Sequence, residues 1–380
     1  MSRANARHLY VHLPFCSHRC GYCDFVTAVG RREQHGVYVD ALLAELELER
    51  GLLADELETV FVGGGTPTFT EPGELERLLQ GLPAATEVTV EANPETVTPA
   101  LAALLRRCGV SRVSLGAQTF DRRLLAVLER VAGPDDVRRA FYHLRDAGFD
   151  NISLDLIYGI PGQGTPDLAR DLSQALALEP EHLSCYELEA KPGTRFTHAH
   201  GAELARQAEA MEDYFERVVE VVTGAGYRWY ETANFCRYGA AAGGRDLRSR
   251  HNLAYWRGRD YLGLGMGAVS TIENRRWRTT PVLGRYLRAL AAEERPPREI
   301  EVLGSEVRLR ERVLLGLRLD EPLPVGPVEQ ALDRRALERL QQLGLAEVAG
   351  GGDASSAGAT LALTPRGRLL GGGVTAELLA

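Results

Sequence analysis

Strand-like runs alternate with helical stretches through the first two-thirds of this chain of 380 residues. The runs have the length and the apolar pattern that are typical of buried or half-buried strands. The predicted strands cover 9–13, 59–65, 87–93, 112–118, 152–159 and 182–189. Stretches in which apolar residues have the spacing of a helix follow these strands. The longest helix is expected over 202–223, before Gly224 and Gly226. Repeated strand–helix units predict a parallel sheet covered by helices, an α/β fold that is either open or barrel-like.

Aliphatic residues occupy every second position along these runs, and polar residues occupy the positions between them, which we call the opposite parity. Leu9, Val11 and Leu13 share one parity in the first run, and Val113 and Leu115 share one in a later run. The opposite parity holds a polar set: Tyr10, His12, Glu91, Gln118, Ser153 and Asp155. Because side chains alternate between the faces of a strand, this polar set faces a common interior near the carboxyl ends of the strands. An interior filled by packing alone would be aliphatic, so a polar ligand is expected there.

Three of the six cysteines lie close together in the stretch PFCSHRCGYCDF. Cys16, Cys20 and Cys23 form a C-x3-C-x2-C pattern directly after the first predicted strand. A 4Fe–4S cluster normally takes four cysteine thiolates, so three thiolates leave one iron open to another ligand. A zinc site completed by His12 or His18, or accidental crowding, is the alternative. The open iron–sulfur site is the favoured interpretation, since this spacing is unusual for a zinc finger.

Composition and charge limit the function classes. The net charge of −8 argues against a broad basic surface, so nucleic acid is not an expected partner. The start of the chain lacks the apolar region of a signal peptide, and no apolar run reaches the length of a membrane span. A cytoplasmic location is therefore expected, where thiols stay reduced. Cys108 and Cys185 are expected to be small buried side chains, and Cys236 is left open as a further thiolate ligand.

The cysteine spacing resembles the defining motif of the radical S-adenosylmethionine (SAM) superfamily. In that superfamily the amino and carboxylate groups of SAM chelate the open iron, and an aromatic residue usually precedes the last cysteine, as Tyr22 does here. The stretch GGGTPT (63–68) is a weak signal alone, but it resembles the superfamily's motif for the SAM amino group. The resemblance implies a partial (β/α)6-type barrel. It also implies that reduction of the cluster can cleave SAM to a 5′-deoxyadenosyl radical.

Several motifs narrow this resemblance to one branch of the superfamily. In chain order they are LYVHLPFC, GGGTPT, VEANPE, SLGAQTF, DLIYGIPGQ, HNLAYWRG and YLGLGMGA. Together they resemble the branch that contains oxygen-independent coproporphyrinogen III oxidase and the haem chaperones of the HemW type. The oxidase has a further cysteine two residues after the third, where this chain has Phe25, and a longer segment before its cysteines. The expected function is therefore that of the haem chaperones, and oxidative decarboxylation of coproporphyrinogen III is the alternative.

The resemblance implies the ligand-binding positions residue by residue. The positions implied to contact SAM are Tyr10, Tyr22, Gly64, Gly65, Thr66, Glu91, Gln118, Arg130 and Asp155. The stretch HNLAYW matches the HNxxYW motif that is associated with haem, which makes His251 the candidate haem ligand beside Tyr255 and Trp256. A histidine that only packs a loop against aromatic residues is the alternative. Two histidines that are common in the branch are absent, with Ala132 and Val269 in their places.

The expected partners and domains follow from the same resemblance. Bound haem would pass to a respiratory apoprotein at the membrane, from a peripheral position at its inner face. A flavodoxin- or ferredoxin-class donor is expected if the cluster is reduced, and whether the chain is an enzyme stays open. The barrel is expected over 1–235 and a connecting segment with the HNxxYW motif over 236–295. A small α+β domain resembling a winged helix is expected over 296–380, with a long hairpin tip at 350–358.

Overall fold

The computed structural model describes residues 5–191, 194–350 and 358–379. Most of the predicted hairpin tip, residues 351–357, lies outside the described residues. The strands, in chain order, are β1 (His8–Leu13), β2 (Phe15–Cys16), β3 (Ala28–Val29), β4 (Leu57–Gly64), β5 (Ala85–Ala92), β6 (Arg112–Gln118), β7 (Ile152–Tyr158), β8 (His182–Glu187), β9 (Tyr227–Trp229), β10 (Asn234–Arg237), β11 (Tyr261–Leu264), β12 (Val269–Ile272), β13 (Arg275–Thr279), β14 (Arg298–Val302), β15 (Leu323–Pro324), β16 (Ala346–Ala349) and β17 (Thr360–Leu363).

The helices alternate with these strands in the first half of the chain. They are α1 (His35–Glu49), α2 (Pro72–Gly81), α3 (Pro99–Arg107), α4 (Arg122–Val127), α5 (Pro134–Asp146), α6 (Thr165–Ala177), α7 (Arg195–Glu209), α8 (Met211–Gly224), α9 (Arg250–Trp256), α10 (Leu283–Ala291), α11 (Ser305–Gly316), α12 (Arg334–Gln342), α13 (Pro365–Leu369) and α14 (Gly371–Glu377). No helix of the described part is both long and apolar enough to cross a bilayer.

Twelve strands form one sheet in the spatial order β14-β13-β12-β11-β1-β4-β5-β6-β7-β8-β10-β9. Neighbours from β11 to β8 run parallel. The strands added at both ends, β12–β14 and β9–β10, are antiparallel to their neighbours. Within the described residues β14 and β9 end the order without pairing to each other, so the barrel is partial and open. The expected α/β partial barrel is confirmed, with its predicted strands at β1 and β4–β8.

The parity of the strands decides where the core forms. Leu9, Val11 and Leu13 are fully buried in the main apolar core, which the helices cover. The opposite parity points to the interior, where polar residues such as Ser153 and Thr89 are fully buried. This arrangement places a polar interior inside an apolar shell, as the sequence predicts.

Two elements differ from the prediction. The long helix expected over 202–223 is wrong, because α7 and α8 are separate helices that meet at Ala210. Each is bound to the same carbonyl oxygen of Gln163, α7 through Gln207 Nε2 and α8 through the Tyr214 hydroxyl, both at 2.8 Å. Such a tertiary contact leaves no local trace in the sequence. The segment 261–302, in part expected as a connection, adds β11–β14 to the sheet.

The small C-terminal domain has its own core and its own sheet, in the order β15-β17-β16. Ion pairs hold it against the barrel. Arg228 binds Asp320 at 2.6 Å, and Arg318 binds the buried Glu231 at 2.6 Å. Arg318 also lies 4.2 Å above the ring of Trp256 on α9. The domain therefore fixes the helix that carries the HNxxYW motif.

Candidate functional site

The three clustered cysteines lie at the carboxyl end of the parallel strands. Cys16 ends β2 and is buried, whereas Cys20 and Cys23 are half-buried. The Cys23 N–H donates to the Cys20 carbonyl at 3.2 Å and closes a turn between the two thiols. All three side chains line one cavity of about 400 Å³, called here the cysteine cavity. The sequence pattern therefore brings the thiols to one side of one space.

A series of polar contacts joins two of these thiols. Cys16 Sγ lies 3.4 Å from Thr66 Oγ1, and Asn93 Nδ2 donates to the same oxygen at 3.0 Å. Arg130 Nη2 donates to Asn93 Oδ1 at 2.9 Å, while Arg130 Nη1 lies 3.8 Å from Cys20 Sγ. Arg130 therefore places a positive charge beside the sulfur of Cys20. Thr66 and Arg130 were predicted at the site, but Asn93 was missed although it lies in the motif VEANPE.

The glycines after β4 allow the backbone to approach the cysteine loop. Gly64 has φ +111°, a conformation that other residues rarely adopt, and a Cβ there would lie 2.5 Å from the ring of His12. A Cβ on Gly65 would lie 2.5 Å from the Pro14 carbonyl oxygen. Both residues line the cysteine cavity, so their backbone is open to a ligand.

Two half-buried carboxyl groups also line the cysteine cavity. Glu91 Oε2 accepts the Gly64 N–H at 3.0 Å, and Asp155 Oδ2 accepts the Ser114 hydroxyl at 3.0 Å. Burial raises the pKa of Glu91 to about 7, and it also raises the pKa of Asp155 above its ordinary value. Both groups line the cysteine cavity, where they can accept hydrogen bonds from ligand hydroxyls.

Gln118 enters the cysteine cavity from a strained backbone. Its φ is +66°, and the register between β6 and β7 shifts between Gly116 and Gln118. Asp171 on α6 fixes the following turn, because its two oxygens accept the Thr119 hydroxyl and the Phe120 N–H, both at 2.7 Å. Nothing in the sequence around Asp171 signals this role.

The predicted site residues do not all share one space. Tyr22 lines the cysteine cavity with the other predicted positions. Tyr10 instead lines a neighbouring cavity of about 250 Å³, called here the aromatic cavity. Asp24 and Phe25 line both spaces, so this part of the cysteine loop borders both cavities.

The structure places His251 at the other end of the barrel. His251 is 1% exposed, its Nδ1 lies 2.7 Å from Thr59 Oγ1, and its Nε2 lies 2.9 Å from the Tyr255 hydroxyl. Burial lowers its pKa to about 3, so the ring is neutral. Glu87 accepts the N–H groups of Arg250 and His251 and so binds the start of α9 to the interior. In this conformation neither ring nitrogen is available to an iron.

The rest of the motif divides between two environments. Tyr255 lines the aromatic cavity, whereas Trp256 lies under Arg318 of the C-terminal domain. Cys236 is 2% exposed within β10, and burial raises the pKa of its thiol to about 12. A buried neutral thiol is a poor ligand, so Cys236 is not available in this conformation either. Of the two cysteines expected to be buried, Cys185 is buried and Cys108 is half-buried.

One hydrogen-bonded chain connects the cysteine cavity to α9. Ser153 Oγ lies 3.3 Å from Asp155 Oδ1 and 2.8 Å from His182 Nδ1. His182 Nε2 lies 2.7 Å from the Tyr230 hydroxyl, which accepts the N–H of Ser249, the N-cap of α9, at 3.2 Å. Burial lowers the pKa of His182, and a neutral ring lets every donor in the chain point toward the carboxylate.

Comparison with known families agrees with this architecture. The family model for the radical SAM superfamily matches residues 10–175, and that for the HemN C-terminal domain matches residues 303–370. The heme chaperone HemW of Mycobacterium tuberculosis is 37% identical over 98% of this chain and 94% of its own length. The chain belongs to the HemW family of radical SAM proteins. The heme chaperones HemW of Bacillus subtilis (32% identical, 97% of this chain, 98% of theirs) and Escherichia coli (35%, 80% and 82%) are further relatives.

A solved structure supports the same fold. Coproporphyrinogen III oxidase (HemN) from Escherichia coli, a radical SAM enzyme, matches with a TM-score of 0.80 over 99% of this chain and 91% of its own. The two sequences are 23% identical, so this likeness concerns the fold. The partial barrel and the winged-helix-like domain therefore occur together in both proteins.

Membership in the radical SAM superfamily implies a 4Fe–4S cluster and SAM, and the residues of the cysteine cavity fit both. The described residues contain no group of three or more His, Cys, Asp or Glu side chains placed around a single metal ion. A cube-shaped cluster binds each thiolate on a separate iron, so it does not need sulfurs that converge on one point. The carboxyl groups of Glu91 and Asp155 and the open glycine backbone suit a ligand with hydroxyl and amino groups.

Proposed function

We propose that this protein is a haem chaperone that binds a 4Fe–4S cluster, SAM and haem, and delivers haem to respiratory apoproteins. The observation that carries the proposal is the 37% identity over 98% of the chain to a heme chaperone HemW. The residue after the cysteine turn agrees with it. Phe25 stands where the oxidase of the same branch has a further cysteine.

In the proposed site the cluster binds to Cys16, Cys20 and Cys23. When bound, it supplies an open iron for SAM and the electron that can cleave it. Thr66 and Arg130 hold the thiols in place through the series of contacts that joins Cys16 and Cys20. Both side chains orient the ligands, and Arg130 places positive charge beside them.

The remaining predicted positions would bind SAM from the strand ends. Gly64 and Gly65 bring the backbone close to its amino group, and Glu91 and Asp155 accept its hydroxyl groups. Gln118, Tyr22 and Tyr10 complete the proposed set: Gln118 and Tyr22 from within the cysteine cavity, and Tyr10 from the space next to it.

Haem would bind near α9, whose sequence carries the HNxxYW motif. Because both nitrogens of His251 are hydrogen-bonded, ligation by His251 would require α9 to move away from Thr59 and Tyr255. The proposed recipient is a respiratory haem apoprotein, reached from a cytoplasmic position at the inner face of the membrane. A flavodoxin- or ferredoxin-class protein is the proposed electron donor.

Titration with haemin tests the function and the role of His251. The anaerobically reconstituted protein is expected to bind haemin saturably, at about one per chain, with a shift of the Soret band. His251→Ala is expected to weaken binding at least tenfold, about 1.4 kcal/mol or more. If His251 ligates iron, the variant also changes the Soret position; if it only supports Tyr255, the position stays. His143→Ala, on the outer helix α5, is the control for adventitious histidine binding.

Absence of saturable binding in the wild type would end the chaperone proposal. Turnover of coproporphyrinogen III would then be the next assay. Equal weakening by His143→Ala would mean that haemin binds the surface and not a site.

Glu91 should make SAM binding depend on pH. Burial and the charge of Asp155 hold the pKa of Glu91 at about 7, against the opposing effects of the Gly64 N–H and Arg112. Ligand hydroxyls donate to the ionised carboxylate, so binding is expected to tighten as pH rises through about 7. Below that pH the affinity is expected to fall by up to about tenfold per unit, since one proton is bound. Equilibrium dialysis of SAM checks this, and Glu91→Gln should flatten the profile; parallel profiles would exclude the role.

A further inference from the structure

The aromatic cavity opens beside the cysteine loop and is lined by four tyrosine and phenylalanine rings. Tyr10 belongs to β1, Phe25 to the cysteine loop, Tyr255 to α9 and Tyr261 to β11. Phe25 is 61% exposed, which leaves a large apolar surface at the rim. Flat aromatic walls of this kind bury the face of a planar ligand. At about 250 Å³, the cavity is smaller than the roughly 300–1,000 Å³ that encloses a drug-sized ligand, so it suits one edge of a larger molecule.

Arg278 on β13 supplies a free cation at this cavity. It lies directly opposite Val269 on β12, and both residues line the cavity. The guanidinium forms no hydrogen bond or ion pair with any residue in the described ranges, not even with Glu299, its cross-strand neighbour on β14. By contrast, Arg276 on the same strand binds both oxygens of Glu311, at 2.7 and 2.8 Å. An exposed, unpaired guanidinium beside aromatic rings is suited to a ligand carboxylate.

The positive charge of Arg278 also acts on a second residue of this cavity. Burial lowers the pKa of His12 to about 4, and the positive charge of Arg278 contributes to this shift. His12 also lines the aromatic cavity. The positive charge of Arg278 therefore acts on a side chain inside the cavity.

The aromatic walls are held in place from behind. Tyr10 stacks on Phe61 with ring centres 6.2 Å apart, and Phe61 stacks on His251 at 5.1 Å. His251 Nε2 lies 2.9 Å from the Tyr255 hydroxyl, and Tyr255 contacts the Tyr261 ring edge-on at 4.6 Å. This support fixes the shape of the cavity before a ligand arrives, which lowers the entropic cost of binding.

We propose that the aromatic cavity binds the carboxylate-bearing edge of a planar aromatic ligand, with Arg278 on the carboxylate and Phe25 and Tyr255 on the ring. This inference rests on the proposed function, in which the planar ligand is haem and the carboxylate is a propionate. It makes His251 a positioning residue that supports Tyr255. It also places the cargo beside the cysteine loop, since Phe25 lines both cavities.

The test compares two ligands and two arginines. Arg278→Gln removes the charge at the cavity, and Arg275→Gln removes another exposed arginine of the same strand that lines a different space. Each protein is titrated with haemin and with haemin dimethyl ester, whose propionates are blocked. Arg278→Gln is expected to raise the Kd of haemin about tenfold, or about 1.4 kcal/mol, and to leave the Kd of the ester unchanged. Arg275→Gln is expected to change neither, and the ester should bind the wild type about as weakly as haemin binds Arg278→Gln.

Three other results would overturn the inference. If the wild type binds haemin and Arg278→Gln binds it equally well, the chaperone function stands and the carboxylate site falls. Equal weakening of haemin and ester would mean that Arg278 shapes the cavity without contacting a carboxylate. If the wild type binds neither ligand, the proposed function fails and this inference fails with it. Thermal unfolding of both variants confirms that these exposed substitutions leave the fold intact.

Discussion

Cys20→Ser is expected to fold normally and to lose its cluster. After anaerobic reconstitution, iron should fall from about four atoms per chain toward zero, with loss of the visible absorption of the cluster. Serine is a poor ligand for iron in place of a thiolate, and two remaining thiolates do not hold the cluster. Cys20 is the sharper choice because it is half-buried in a loop, whereas Cys16 is buried on β2, where a substitution also disturbs packing. Cys23→Ser should behave like Cys20→Ser.

A matched cysteine outside the site controls for general loss of thiols. Cys108 is also half-buried and lies at the end of α3, so Cys108→Ser should keep its iron and its spectrum. Iron, sulfide and thermal unfolding are measured on all the variants. A Cys20→Ser protein that keeps four iron atoms per chain would remove Cys20 from the ligand set. Loss of iron in Cys108→Ser as well would mean that reconstitution, and not the site, limits the measurement.

Local patterns in the sequence carry the central part of the fold. Strands β1 and β4–β8 are predicted because each has a period-two pattern and is followed by a helix. Strands β11–β14 are only four or five residues long, and they form because they pair with β1 and with each other. Such pairing depends on residues far apart in the chain, so no local pattern predicts it. The break between α7 and α8 at Ala210 has the same kind of cause.

The candidate site also has residues that local motifs predict and residues that they do not. Residues in motifs at the ends of strands, such as Thr66, Glu91 and Asp155, meet in one cavity because parallel strands end on the same side. The place of His251 was not predictable, because a motif does not reveal which end of the barrel its helix covers. Asp171 gave no signal, since its role depends on contacts with the turn after β6.

Arg112 did give a signal, although the prediction did not use it. It shares the inward parity of Ser114 on β6, and a cation at that parity must lie inside the barrel. Arg112 is 2% exposed, its Nε has no hydrogen-bond partner, and its guanidinium makes no ion pair with the described residues. Burying an unpaired guanidinium costs free energy of folding unless its charge stabilises neighbouring groups.

The charge of Arg112 acts at a distance on three carboxyl groups of the barrel interior. Burial raises the pKa values of Glu87, Glu91 and Asp155, and the charge of Arg112 opposes this rise in all three. Arg112→Met keeps an unbranched side chain but removes the charge, so all three pKa values should rise further. More of these groups would then be protonated near neutral pH, and SAM binding is expected to weaken at least tenfold at about pH 7.5, or about 1.4 kcal/mol.

Stability should change with pH in a direction that identifies this cause. A carboxyl group whose pKa is raised in the folded state binds its proton more tightly there than in the unfolded chain. Its contribution to the free energy of unfolding is therefore present at low pH and is lost as pH rises through the raised pKa. This contribution is about 1.4 kcal/mol for every tenfold difference in proton affinity between the folded and unfolded chains. The melting temperature of Arg112→Met should accordingly keep falling above about pH 7, where the contribution of Glu91 in the wild type has already been lost. Arg112→Lys keeps a positive charge and should restore both the slope and much of the SAM affinity. Parallel melting curves for Arg112→Met and the wild type would show that Arg112 does not set the charge of these carboxyl groups.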